Sequence, residues 1–245
     1  MGGGSATGRR VARTIDPSEI PAWQKPTTAT LESAATDNRP LVIYFAEENA
    51  TDADFADKEL AEISKSDAVF IQISYTEDRE VSPWAEETVV PTSKLLSDNP
   101  SREYKVSVGE LTIVVADSYG NEYYRMTKVP KASQLKSYLE KVTAEVEKAN
   151  EKLQKNLEKA RDYLDAKSDR KNALKYLLKN FKEGVVGLDA QEESIRMYHD
   201  ILDAARSEMA ELKNKKDADG LKSLKKDLDK TDLEKEIEEA LDEIK

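Results

Sequence analysis

The run Leu41-Val42-Ile43-Tyr44-Phe45-Ala46 is apolar throughout and directly follows Pro40. A short apolar run without polar interruption is typical of a strand that is buried on both faces of a sheet. Val69-Phe70-Ile71-Gln72-Ile73 predicts a second strand of this kind, and the segment between the two, from about Asp52 to Ser64, has the apolar spacing of a helix. A strand, a helix and a strand in this order favour parallel pairing with a right-handed crossover.

A hairpin and a long helix follow in the sequence. Leu111–Ala116 and Glu122–Met126 predict two strands, and the turn-forming composition of Asp117–Asn121 joins them. From Lys131 onward, apolar residues recur every three or four positions on a charged background, which predicts a helix longer than roughly 30 residues. The sequence therefore predicts an α/β domain that passes into a helical region.

This order of elements, over about residues 28–145, resembles the thioredoxin fold. In this resemblance, Leu41–Ala46 is similar to the family's first buried strand. The active-site turn follows that strand, and the positions of the family's two cysteines are occupied here by Asn49 and Asp52. Leu111 stands where the family has a cis-proline. The chain contains no cysteine, and the thiolate is the group that performs thiol exchange. The resemblance therefore implies a thioredoxin-like fold with a degenerate, redox-inactive motif and no catalytic residues.

Two interpretations of the degenerate turn remain open from the sequence. Asn49 and Asp52 either line a ligand groove or are solvated turn residues, of which Asp52 caps the next helix. Together with Asp52, the carboxylates of Glu47, Glu48 and Asp54 form an acidic cluster with the chemistry to hold a hard cation such as calcium. The cluster lacks the alternating ligands and the turn glycine of a dedicated calcium loop, so we predict no metal site.

Four common cofactor and catalytic motifs are absent from the sequence. The glycine-rich patterns GxGxxG and GxxxxGK[ST], the metalloprotease pattern HExxH and the nucleophile-elbow pattern GxSxG are absent. His199 is the single histidine, which is too few for a typical zinc site without cysteine, and no nucleophile–base pair accompanies it. We expect His199 to be a surface or interface residue, and we predict no cofactor and no enzymatic activity.

Narrow apolar stripes mark the helical half and predict self-association or a protein partner. The run Ala166–Leu178 resembles the turn and Ala-Leu helix of a tetratricopeptide-type helix pair, without a second copy at that family's period. The stripes are as narrow as a coiled-coil seam, and the alternative is that they pack on one another within the chain. The predicted partner-binding residues are Leu153, Leu157, Leu164, Ile195, Leu202 and Met209.

The chain is acidic, and most of the excess lies in its first half. The 245 residues carry a net charge of −11, and residues 1–130 alone hold 13 basic and 22 acidic residues, a net of −9. This balance disfavours nucleic acid and anionic membranes as partners. No apolar run approaches the roughly 20 residues of a membrane span, so we expect a soluble protein. The Gly-rich start is not an intact signal peptide. It is either a natural tail or a segment that replaces a removed signal peptide. The sequence therefore does not determine the compartment, and an exported protein is one alternative.

The sequence thus predicts three segments: a flexible N-terminal segment, 1–27; a thioredoxin-like domain, 28–148; and an all-α helical hairpin or coiled-coil extension, 149–245. The leading hypothesis is a non-catalytic protein that acts in protein–protein interaction or as an assembly subunit. One alternative is a client- or peptide-binding chaperone module, which needs an exposed apolar patch near Asn49 and Leu111. A further alternative is a glutathione-transferase-like enzyme, which the highly charged helical half disfavours.

Overall fold

The computed structural model describes residues 15–46, 52–75 and 89–244. Within them, five strands form one mixed sheet: β1 (Trp23–Gln24), β2 (Leu41–Ala46), β3 (Val69–Ser74), β4 (Thr112–Ala116) and β5 (Glu122–Met126). Their spatial order is β1-β3-β2-β4-β5. The first three strands are parallel, and β4 is antiparallel to both β2 and β5. The parallel pair and the hairpin confirm the prediction from the sequence.

Helices cover both faces of this sheet, which explains why its central strand is apolar throughout. All six residues of β2 are buried, and alternate residues enter two different cores. The helices α2 (Lys58–Ser66) and α4 (Ala132–Arg161) lie over one face. On the other face lie α1 (Thr28–Thr36) and Tyr104, which caps the short helix α3 (Pro100–Glu103).

Trp23 and Gln24 form an edge strand of the sheet, although they lie within the segment 1–27 that the sequence predicts to be flexible. Trp23 of β1 pairs with Phe70 of β3, and its ring centroid lies 5.0 Å from that of Phe55. Trp23 is partly buried against the core of the sheet, and aromatic contacts of this kind stabilise a strand that is only two residues long. Of the predicted segment 1–27, the structure describes residues 15–27, and residues 1–14 lie outside the described residues.

Helix α4 connects the sheet with the helical half of the chain. It runs for 30 residues and continues into a π-helical turn, Asp162–Ala166, which confirms the predicted long helix. Its first half contributes Leu135 to a core of the sheet, and its second half contributes Leu153 to the core of the helical half. The predicted domain boundary between residues 148 and 149 falls inside this continuous helix.

Four further helices complete the helical half: α5 (Arg170–Phe181), α6 (Asp189–Asn214), α7 (Ala218–Asp227) and α8 (Leu233–Glu243). Buried residues from α4 to α8 meet in one common core, because each helix repeats apolar residues every three or four positions. This arrangement differs from the irregular helical hairpin or coiled-coil arm that the sequence predicted. None of the helices in the described ranges combines the length and apolar character that a membrane crossing requires.

Candidate functional site

Two of the three degenerate redox positions are described. Asp52 begins a short 3-10 helix, and Leu111 is half-buried directly before β4. Asn49 lies outside the described residues, as do Glu47 and Glu48 of the predicted acidic cluster. Across residues 15–46, 52–75 and 89–244, no peptide bond is cis, and no group of three or more His, Asp or Glu side chains is placed to hold a metal ion.

A tight turn between β4 and β5 lies at the opposite end of the sheet from these positions. The buried carboxylate of Asp117 accepts hydrogen bonds from the backbone N–H groups of Tyr119 (3.0 Å) and Asn121 (2.9 Å), and from Nδ2 of Asn121 (2.7 Å). The hydroxyl of Tyr104 donates to the carbonyl oxygen of Gly120. These bonds hold the turn in one conformation.

Burial dominates the electrostatics of this turn. It raises the pKa of the Asp117 carboxyl above the ordinary value of 3.8, and the hydrogen bonds from Asn121 and Tyr119 oppose the rise only in part. Burial, together with the charge of Asp117, also raises the pKa of the Tyr123 hydroxyl. Because the carboxylate oxygens of Asp117 are occupied by donors of its own turn, their evident role is structural.

The same turn docks on the loop between α5 and α6. Nδ2 of Asn121 donates to the carbonyl oxygen of Val186 (2.8 Å), and the N–H of Val186 donates to Oδ1 of Asn121 (2.8 Å). The ring of Tyr119 lies against Gly187, where an added Cβ atom would overlap it. The sheet and the helical half are therefore held together by this contact as well as by α4.

The six predicted partner-binding residues lie in the core of the helical half or against it. Three of them are only 1–2% exposed: Leu153, Leu157 and Leu202. The other three are partly buried against that core: Leu164, Ile195 and Met209. The stripes thus pack on one another within the chain, the alternative considered above. His199 is exposed, and its ring contacts the ring of Tyr198 with centroids 5.6 Å apart.

A groove lined by lysines runs along the outer side of α5 and encloses about 680 Å³. Its floor is apolar, since Phe181 is buried and Leu178 and Val89 are partly buried. Asp229 also lines it, next to the loop that leads into α8. The lining lysines are Lys171, Lys175, Lys179, Lys182 and Lys230.

The lysines of this groove differ from several nearby cations in forming no ion pair with a described carboxylate, although the charge of Lys171 does act on Asp169. Arg170, at the start of α5, forms an ion pair with Glu208 (2.9 Å), whereas none of the five groove lysines forms one with a described carboxylate. Nζ of Lys179 lies over the ring of Tyr176, 4.2 Å from its centroid, and Lys171 is exposed. The groove is therefore a local positive surface on an acidic chain.

The sequence interpretation missed this surface, although a signal was present. Residues 170–182 contain five basic residues and no acidic one. The second half of the chain is nearly balanced in charge, and that average concealed the run. Lys230 joins the groove only through the folding of the helices, which no local pattern shows.

Comparisons with known proteins add little to this description. No protein-family model and no curated protein matches the chain. A solved structure titled DsbH oxidoreductase is similar over 55% of this chain and 96% of its own length, with 18% sequence identity and a TM-score of 0.35. At that TM-score the likeness assigns neither a fold nor an activity to the chain.

Proposed function

We propose that the protein is a non-catalytic interaction protein, in which a thioredoxin-like domain without thiols and a helical half form one binding scaffold. The thioredoxin-like assignment is supported by the resemblance in the sequence. It is also supported by the order of elements: a strand, a helix and a parallel strand, followed by an antiparallel hairpin and a final helix. The absence of cysteine supports a role other than thiol exchange.

The lysine-lined groove is the observation that carries this proposal. Its lining offers several exposed ammonium groups above an apolar floor, and the described lining residues bring no hydroxyl, thiol or imidazole. A concave surface that combines apolar area with a few convergent charges is typical of a binding site. Lysines that form no ion pair with a described carboxylate favour an external anionic partner, because the described part of the chain then competes little for them.

The test is capture of interacting proteins from the native host on the full immobilised chain. The groove variant carries Lys171→Glu, Lys175→Glu and Lys182→Glu, three exposed lysines of the groove. The matched control carries the same change of charge at three exposed lysines of α4 that do not line the groove: Lys136→Glu, Lys141→Glu and Lys155→Glu.

We expect a defined set of proteins to be retained by the wild type and by the control, and lost from the groove variant. Equal retention by all three proteins would place binding elsewhere and contradict the role of the groove. A diffuse set of unfolded clients, insensitive to the groove substitutions, would instead favour the chaperone alternative.

A further inference from the structure

The lysines of α5 form a continuous row. Lys171, Lys175 and Lys179 follow one another at intervals of four residues, and Lys182 comes three residues later, so all four lie along one side of the helix. At a rise of about 1.5 Å per residue, the row is about 16 Å long. An extended peptide covers that distance with about five residues and a helical peptide with about eleven.

Like charges at this spacing repel one another along a helix. Elsewhere in the helical half the repulsion is relieved by nearby carboxylates, as for Lys152 with Glu183 (2.6 Å) and Arg161 with Glu193 (3.0 Å). In the groove, no described carboxylate relieves it by an ion pair. A bound ligand that brings carboxylates to the row would both gain the attraction and remove the repulsion.

The floor of the groove selects among anionic ligands. Leu178 and Val89 are partly buried, and Phe181 lies beneath them in the core, so the floor favours an apolar side chain set between the flanking charges. A nucleic acid is disfavoured, because the described lining offers no exposed aromatic ring on which a base could stack.

We infer that the groove binds an acidic peptide segment of a partner protein, with an apolar side chain on the floor and carboxylates along the lysine row. The inference rests on the proposed function and specifies the chemistry of the partner. The lysine ammonium is a flexible point charge, which suits carboxylates distributed along a peptide rather than one rigid bidentate group.

The test measures fluorescence anisotropy of a fluorescein-labelled peptide of about 12 residues, long enough to follow the row in either conformation. The peptide carries glutamates around a central Leu-Phe pair. One control peptide replaces the glutamates by glutamine, and another replaces the Leu-Phe pair by serine. A single-stranded oligonucleotide of equal charge is the fourth probe, and the proteins are the wild type, the groove variant and the α4 control.

We expect the acidic apolar peptide to bind the wild type and the α4 control with similar affinity. Its affinity for the groove variant should be lower by about tenfold or more. Binding should weaken with added salt, and both control peptides should lose most of it. Equal binding of the serine peptide or tighter binding of the oligonucleotide would overturn the inference, since either shows a general polyanion site. If no peptide binds while capture from the host still depends on the groove lysines, the inference fails and the proposed function stands. If capture is also independent of them, both fail.

Discussion

Asn121 and Val186 are 65 residues apart in the chain, yet the side-chain amide of Asn121 pairs with both backbone polar groups of Val186, each at 2.8 Å. The amide thereby satisfies both backbone polar groups of Val186, as a paired strand would in a sheet, because it supplies one hydrogen-bond donor and one acceptor. The same amide also donates to the buried carboxylate of Asp117. A single side chain thus fixes the hairpin turn and attaches it to the helical half.

We expect Asn121→Ala to lower the free energy of unfolding by about 2–3 kcal/mol, since it leaves the polar groups of Val186 and Asp117 without this partner. The change should also weaken the coupling between the sheet and the helices. Urea unfolding followed by tryptophan fluorescence and by far-UV circular dichroism should give coincident transitions for the wild type and separated ones for the variant.

Asn214→Ala, at an exposed asparagine of α6, is the control and should change stability by less than about 0.5 kcal/mol. An equally small effect at Asn121 would contradict the role assigned to this contact.

Two glycines of the α5–α6 loop allow the docking of Tyr119 to be measured separately from backbone strain. Gly184 (φ +65°) and Gly187 (φ +76°) both have left-handed backbones, but only at Gly187 would a Cβ atom meet the ring of Tyr119, and at Gly184 the space is open. We expect Gly184→Ala to cost about 1 kcal/mol of stability, and Gly187→Ala about 2–4 kcal/mol because the ring must move. Thermal or urea unfolding of both variants gives the difference. In a Tyr119→Ala background the excess cost at Gly187 should disappear, and its persistence there would refute the contact.

Asp117 and Asp169 provide a matched pair for pH dependence. Each carboxylate accepts a backbone and a side-chain hydrogen bond from one asparagine, Asn121 or Asn172. The bonds lower the pKa of Asp169, whereas burial overcomes them and raises the pKa of Asp117. Carboxyl ¹³C chemical shifts followed through a pH titration should therefore place Asp169 below and Asp117 above the ordinary value of 3.8.

The stability consequences of the two carboxyls have opposite signs. The folded protein holds the proton of Asp117 more tightly than the unfolded chain does, so its contribution to stability is complete below the unfolded pKa and is lost as the pH rises through the raised value. Asp169 contributes stability above its unfolded pKa, and this is lost as the pH falls through the lowered value. The reverse order of the two measured pKa values would show that burial does not control Asp117.

Local patterns in the sequence predicted much of this structure. The unbroken run of β2 predicted a strand covered on both faces, and the spacing from Lys131 onward predicted α4, because both signals arise from the periodicity of the element itself. The Asn121–Val186 contact and the entry of Lys230 into the groove depend on how elements pack over long distances in the chain. Local sequence patterns carry no such information, so the sequence indicates the degenerate redox turn and not the groove.

Two buried side-chain amides in the helical half differ in their hydrogen bonding, and we expect their replacement to change stability in opposite directions. Nδ2 of Asn180 donates to the carbonyl oxygen of Leu153 (3.0 Å) and to Oγ of Ser194 (2.8 Å), which joins three helices. Gln191 is equally buried, and neither of its amide atoms has a hydrogen-bond partner among the described protein atoms. Because an unpaired buried amide costs free energy while a paired one stabilises, the shape-conserving changes Asn180→Leu and Gln191→Met should differ in sign. We expect a loss of about 2–3 kcal/mol for the first and no loss, or a gain of up to about 1 kcal/mol, for the second. Urea unfolding measures both, and a large loss at Gln191 would show that its amide is paired.

The thioredoxin-like assignment can be tested by restoring the chemistry that the sequence lacks. The resemblance places the family cysteines at Asn49 and Asp52, and the wild-type chain contains no cysteine that would compete with an introduced pair. A variant with Asn49→Cys and Asp52→Cys should form an intramolecular disulfide on mild oxidation, seen by mass spectrometry of the alkylated protein. If a helix begins at this turn, it should lower the pKa of the first thiol, so the variant should accelerate the reduction of insulin by dithiothreitol severalfold over the wild type.

The control variant carries two cysteines at the same spacing at exposed positions of α7, Ser223→Cys and Lys226→Cys. It should give no acceleration, because thiols outside an active-site turn keep ordinary reactivity. Equal rates for the two double variants would mean that residues 49 and 52 do not occupy the active-site turn of a thioredoxin-like domain.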